Sequence, residues 1–307
     1  MNLERVPGRA KPSPPQSGVP AELGDGSASV ARPIDPGVRG FIVAAMLLVG
    51  SAAASLLLFP SRTDVYFAWT IRPPLTASWL GAGYASAFVA LWMTRRRTDW
   101  RDVRIGVAVV STGLVAILVA TLLHLDRFHW SSPHLSARLW AWAWLAWYVV
   151  LPPVLVVVLV RQRRRAALQS GQARAVTHAP ARPPLTIGFR TLAGTTAAAM
   201  TLYGAILFLA PALAGDVWPW PLTPLTARMI GAWWIGVAVA LAAAARSEDF
   251  GQVRVAAPAF VLYAVLQLAQ LGLARETLGP APVLPAVVLL VALLVVGAWA
   301  AGAARGP

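Results

Sequence analysis

Eight stretches of about 20 residues in this chain carry almost no charge: 41–59, 75–93, 105–123, 139–160, 191–213, 227–245, 255–274 and 282–301. A helix rises 1.5 Å per residue, so each run as a helix is about 30 Å long, the thickness of a bilayer's hydrocarbon core. A water-soluble helix of that length would carry a polar stripe at helical spacing, and none is present. Backbone polar groups in lipid must bond within their own segment, which a helix achieves and a lone strand does not. The ten-residue alternation of a lipid-facing barrel strand is also missing. The chain therefore predicts an all-α polytopic membrane protein of eight transmembrane helices. Its 58% hydrophobic and 12% charged residues fit that class. An average soluble chain has about 25% charged residues.

The basic residues sort by loop. Twenty of the 26 Lys and Arg fall in the N-terminal tail, 94–104, 161–190, 246–254 and the C-terminus. Six fall in 60–74, 124–138, 214–228 and 275–281. Basic loops stay in the cytoplasm. The expected arrangement is a multi-pass protein of the cell (plasma) membrane with both termini cytoplasmic. The formal charge of +14 then reflects orientation and attraction to anionic lipid, above all at the basic linker around Arg161-Gln162-Arg163-Arg164-Arg165. That linker abuts an apolar run and has no aromatic residues for base stacking, so nucleic acid is not an expected partner. Most of the 14 Trp residues cluster at the opposite side, among them Trp69, Trp79, Trp130, Trp144, Trp218, Trp220 and Trp234. Trp69, Trp218 and Trp220 suit the headgroup layer, which accepts an apolar ring with a polar edge.

The chain repeats itself. Residues 74–104 slide onto 224–254 without a gap and give 13 identities in 31 positions, including Pro74/Pro224, Thr76/Thr226, Gly81/Gly231, Asp99/Asp249 and Arg104/Arg254. Shared apolar composition cannot place Pro, Asp and Arg in register. Small offsets extend the match to Gly37-Val38-Arg39 with Gly188-Phe189-Arg190, Pro60 with Pro211, and Trp69 with Trp220. The predicted organisation is a disordered cytoplasmic tail (1–36), a first four-helix membrane repeat (37–160), a basic cytoplasmic linker (161–187), a second four-helix repeat (188–301) and a short tail (302–307). Four spans per unit is an even number, so the units insert in parallel, related by an axis along the membrane normal. Within the repeated element, Thr223 is placed to cap a helix that begins at Pro224. Gly81 and Gly231 permit close helix approach, and Asp99 and Asp249 sit at helix starts, where an acid caps free N–H groups.

The duplicated Trp-Pro-Leu-Thr-Ala element resembles stretches of the type WPWPLTPLTAR in bacterial multi-pass membrane proteins. The resemblance implies a bacterial inner-membrane protein and carries no activity with it.

Chemistry-bearing groups are sparse. Cysteine is absent, which excludes disulfides, thiolate nucleophiles and Cys-ligated metals. The apolar runs hold no Asp, Glu or Lys, whereas proton- and ion-coupled carriers bury an ionisable group. No phosphate-binding Gly-rich loop, nucleophile elbow or acid–base carboxylate pair is present, so no catalytic residues are assigned. His124, His129 and His134, five apart with Asp126 among them, are the metal or haem-ligand candidates, although that spacing does not align on a helix. No cofactor is expected. The leading expectation is an uncoupled transport or ligand-binding protein with an outer-face site between the repeats. Its ligand-binding residues would be Trp69, Arg72, Thr76, Trp218, Trp220, Thr226 and Arg228, with Gln267 and Gln270 on one helix face. The partners are the bilayer and either a small ligand or another membrane protein. The alternatives are a structural or assembly subunit of a membrane complex and a haem or metal protein.

Overall fold

A computed structural model describes residues 34–170, 184–276, 278 and 283–303. The tail predicted over 1–36 lies almost wholly outside these residues, as do 171–183 of the linker and 304–307 of the C-terminus. The described chain is helical, with no strands. The α-helices in order are α1 (Pro36–Leu58), α2 (Thr63–Tyr66), α3 (Pro74–Arg95), α4 (Trp100–Leu122), α5 (Leu135–Ser170), α6 (Ile187–Leu209), α7 (Ala214–Val217), α8 (Pro224–Ala245), α9 (Phe250–Val253), α10 (Ala257–Leu273) and α11 (Val283–Ala303).

Among the described residues, five of these are long and apolar enough to cross a membrane: α1, Leu135–Arg165 within α5, α6, α8 and α11. The protein is thus a helical, apolar-rich chain of the kind that resides in membranes. The eight runs read from sequence all become helical, but α3 falls short in apolarity and α10 in length. In α3, Ser78, Tyr84, Ser86 and Thr94 lower the hydropathy. In α4 the described apolar stretch is Val109–Leu122, the C-terminal part of a 23-residue helix. A turn at Arg254 to Ala256 shortens α10 to 17 residues.

Helix starts follow local chemistry. Asp35 accepts from the Gly37 amide at 2.7 Å and caps α1. Thr223 accepts from the Thr226 amide at 3.3 Å ahead of Pro224, and Asp249 accepts from the Gln252 amide at 3.1 Å. Hydroxyls inside the helices turn back to their own backbone: Ser86 donates to the Ala82 carbonyl at 2.8 Å, Thr94 to Ala90 at 2.7 Å and Thr201 to Ala197 at 2.8 Å. This satisfies a polar atom where lipid offers no partner.

The basic stretch after residue 160 is not a loop at its start. The α5 helix runs on to Ser170, about 54 Å in all. Its charged end is tied to the start of α1: Gln162 accepts from the Asp35 amide at 2.8 Å, and Arg165 pairs with the Asp35 carboxylate at 2.9 Å. A sequence reading of Arg161 to Arg165 as a linker misses this, because the partner lies over 120 residues away. At the same end, Arg190 of α6 donates to the Ala245 and Ser247 carbonyls at 3.1 and 2.9 Å and closes the C-terminus of α8, where a cation is favoured.

Two packing relations organise the core. Helix α1 lies along α3 and against α5, and α6 lies along α8 and against α11. In contrast, α4 packs chiefly on α8, and α10 packs on α3 as well as on α11. The two chain halves therefore interlock, each lending a helix to the other.

The tightest seam is α6 on α8. A Cβ added at Gly231 would stand 2.6 Å from the Gly204 carbonyl oxygen and 2.9 Å from the Phe208 amide nitrogen. At Gly81 the corresponding neighbours are the Leu56 and Leu57 side chains, at 3.0 and 2.9 Å. Backbone cannot yield as a leucine side chain can. Gly231→Ala should therefore destabilise the protein by about 1–3 kcal/mol, and Gly81→Ala by clearly less, as read from unfolding in mild detergent. Equal losses would contradict this account of the seam.

Candidate functional site

The segment Phe67 to Ile71 before α3 is pinned from three sides. The Ser55 hydroxyl donates to the Tyr66 carbonyl, the Thr63 hydroxyl accepts from the Ile71 amide at 2.9 Å, and the His129 amide donates to the Ala68 carbonyl at 2.9 Å. Pinning buries Phe67 and Trp69 fully against Trp144, with ring centroids 5.4 and 5.0 Å apart. The corresponding stretch of the second half buries Trp218 and Trp220 against Trp79, at 5.3 and 5.2 Å. Six tryptophans, Trp69, Trp79, Trp144, Trp218, Trp220 and Trp234, are 3% exposed or less. Trp69, Trp218 and Trp220 are thus core residues and not headgroup anchors. Each ring finds another aromatic face, which removes more apolar surface than a headgroup layer would.

Several expected site residues hold the two halves together instead of standing free. The Trp220 indole donates to the Thr76 hydroxyl at 2.8 Å. Gln267 donates to the Trp79 carbonyl at 3.1 Å, and Gln270 donates to the Ser78 carbonyl at 3.3 Å. Thr226 is wholly buried and bonds within its own turn, donating to the Thr223 carbonyl at 3.0 Å. Arg72 points away from the seam and donates to the Ser61 carbonyl at 3.1 Å.

A cleft remains open at this end. It has a volume of about 410 Å³ and is lined by Trp69, Thr70, His124, Asp126 and Arg127 from one half and by Thr223, Pro224 and Leu225 from the other. Small-molecule sites run from about 300 to 1,000 Å³. Arg228, on the same helix as Pro224 and Leu225, donates to Nε2 of the lining residue His124 at 2.6 Å. To accept that bond the Nε2 atom must be unprotonated. Burial, and after it the Arg228 guanidinium, hold the imidazole below its ordinary value. Asp126 and Arg127 pair with each other at 2.9 Å, but both are about 70% exposed, and such pairs contribute little.

The three histidines do not converge. His129 donates from Nδ1 to the Phe67 carbonyl and pairs through Nε2 with the Thr70 hydroxyl, both at 3.0 Å. His134 is exposed just before α5. No group of three or more His, Cys, Asp or Glu is placed to hold a metal among the described residues. Thr70, Asp126, Arg127 and Thr223 line the cleft without having been among the expected ligand-binding residues, Asp126 being noted only beside the histidines and Thr223 only as a helix cap. The available signal was their position beside the two Trp-Pro elements and in the 124–138 loop.

No protein family, curated protein or solved structure matches the chain.

The cleft makes stability depend on pH with a definite sign. The folded value of His124 lies below the unfolded value of about 6.5, so the folded chain binds fewer protons. The stability from the neutral imidazole is complete above about pH 6.5 and is lost as pH falls through the folded value. In nanodiscs, melting temperature should drop on going from pH 8 to pH 5, and His124→Gln should remove that part of the drop. An identical pH profile in the variant would refute the assignment.

Proposed function

We propose that this chain is an eight-span protein of the cell membrane, built as two parallel four-helix units with cytoplasmic termini. In this reading it acts without catalysis, as a ligand-binding or uncoupled transport protein with an outer-face site between the units. Several observations support the architecture. Helices α1 and α6 are both 23 residues long, and α3 and α8 are both 22, each pair in the register of the internal repeat. The pairing of α1 with α3 repeats as α6 with α8, and the exchange of α4 onto α8 repeats as α10 onto α3. The polar side chains of α3 that lower its hydropathy are largely buried, with Thr76, Tyr84, Ser86 and Thr94 at 4% exposure or less. They face protein and not lipid, so they do not bar α3 from spanning.

The observation that carries the site is the cleft itself, which takes its lining from both units and includes His124, to which Arg228 is bonded. Among the described residues no carboxylate pairs with Arg228. A guanidinium with free donors and a neutral imidazole suit a small anion. The outer Trp-Pro elements supply the walls, and the helix interiors supply no coupling group.

Two measurements test the reading. The chain has no cysteine, so cysteines placed at two exposed positions, Arg72→Cys and Glu248→Cys, report sidedness directly. A membrane-impermeant thiol reagent added outside intact cells should label the first and spare the second. Inorganic phosphate titrated into nanodisc-held protein should give a saturable change in tryptophan emission that Arg228→Gln abolishes. Labelling of both sites from one side would refute the topology, and an unsaturable wild-type titration would refute the anion site.

A further inference from the structure

A second cavity lies deeper, between α1, α3, α4, α5, α8 and α10. Its volume is about 160 Å³, it is half-open, and its lining is almost wholly apolar. It runs along α3 from Gly83 to Thr94 and along α4 from Gly106 to Ile117, about 16 Å on each helix. Missing side chains make the space. A Cβ added at Gly113 or Gly236 would meet nothing within 4 Å. Four of the hydroxyls along it are already engaged. Ser86 and Thr94 donate to their own helix, and Tyr84 and Tyr148 face each other at 3.4 Å. An apolar cavity of about 150 Å³ stays dry and takes hydrocarbon. Inside a bilayer, the hydrocarbon at hand is a lipid chain.

One end of this slot is cationic. The lining residues Thr94 and Ala256 stand beside Arg95, Arg96, Arg97 and Arg254 in the chain. Arg95 and Arg96 lie over the Trp92 ring, 5.1 and 4.7 Å from its centroid. The Arg97 Nε is buried and has no hydrogen-bond partner. No ion pair joins these four guanidinium groups to a carboxylate among the described residues. An apolar slot that ends among uncompensated arginines matches one molecule of the bilayer, a lipid with a hydrocarbon chain and an anionic head.

We propose that this cavity is a binding site for an anionic phospholipid, with one acyl chain in the slot and its phosphate at Arg95 to Arg97 and Arg254. The proposal rests on the membrane-spanning reading and is independent of the outer cleft. Phosphate titration can fail without touching it.

The test uses the full chain and two brominated lipids, phosphatidylglycerol and phosphatidylcholine with dibromostearoyl chains, in nanodiscs. Bromine quenches tryptophan at short range, and Trp233 lines the slot. The difference in emission between wild type and Trp233→Phe isolates that ring. Its quenching should be at least tenfold more sensitive to brominated phosphatidylglycerol than to brominated phosphatidylcholine. Gly113→Leu with Gly236→Leu fills the slot into open space and should abolish the quenching. Arg96→Gln with Arg97→Gln should remove the preference for phosphatidylglycerol and leave chain quenching in place. Equal Trp233 quenching in wild type and the filled variant, or no lipid preference in wild type, overturns the proposal. An unchanged preference in the arginine variant overturns the headgroup assignment. Should the filled variant not fold, native mass spectrometry of wild type decides. One retained phosphatidylglycerol after detergent washing supports the site, and none refutes it.

Discussion

A backbone amide in hydrocarbon has no partner except another group of the protein, and the whole structure follows from that constraint. The described chain answers it with helices throughout. Side chains obey the same rule. Most serines and threonines inside the helices bond to a carbonyl one turn back, and the Trp220 indole and the Gln267 and Gln270 amides reach across the boundary between the halves. Because lipid is as apolar as leucine, burying more leucine gives two helices no reason to associate. What brings them together is close approach and directed hydrogen bonds. Gly204 and Gly231 provide the first along α6 and α8. Trp220 to Thr76 and Gln267 to the Trp79 carbonyl provide the second.

That economy explains why the residues that look most like a binding site are mostly structural. Trp218, Trp220, Thr76, Gln267 and Gln270 occupy the seam between halves, and a polar group there must be satisfied within the seam. Such interhelical bonds contribute about 0.6 kcal/mol each on average in membranes. Their value is more in register than in strength, since a one-turn slip of α10 on α3 would break both glutamine contacts at once. Some donors stay unmatched. The indole N–H groups of Trp69, Trp79, Trp218 and Trp234 are buried without a partner. Their rings sit where aromatic faces pack well, and the packing outweighs the N–H groups left over.

How far the sequence reveals this depends on the range of the interaction. Helix positions are legible because absence of charge over 20 residues is a local property, and capping by Thr223 and Asp249 is legible because its partners are three residues away. The close approach at Gly231 is legible for the same reason, a glycine in a repeated helical element. The extension of α5 to Ser170 is not, since Asp35 holds it from the other end of the first half. The aromatic residues mislead in a similar way. Trp at the edge of an apolar run signals the interface only when no ring waits for it, and here Trp79 and Trp144 do. Arg72 and Arg228 look alike as outer-side cations beside the repeated element. The bond from Arg228 to His124, over a hundred residues away, separates them.

The cleft and the apolar slot are not independent volumes. Trp69 lines the first, Tyr84 and Tyr148 line the second, and Trp144 touches all three rings, at 5.0, 6.2 and 4.7 Å. Trp144 is wholly buried, and its indole donates to the Thr121 hydroxyl at 3.1 Å. Thr121 in turn donates to the Ile117 carbonyl, and Ile117 lines the slot. A single indole held by one hydrogen bond therefore divides a polar chamber from a hydrocarbon one. The α4 helix carries Ile117 and Thr121, and His124 lies in the turn that follows it. Any displacement of α4 along its axis moves the slot wall, the anchor of Trp144 and the partner of Arg228 together. α4 is also the helix that its own half of the chain lends to α8 of the other.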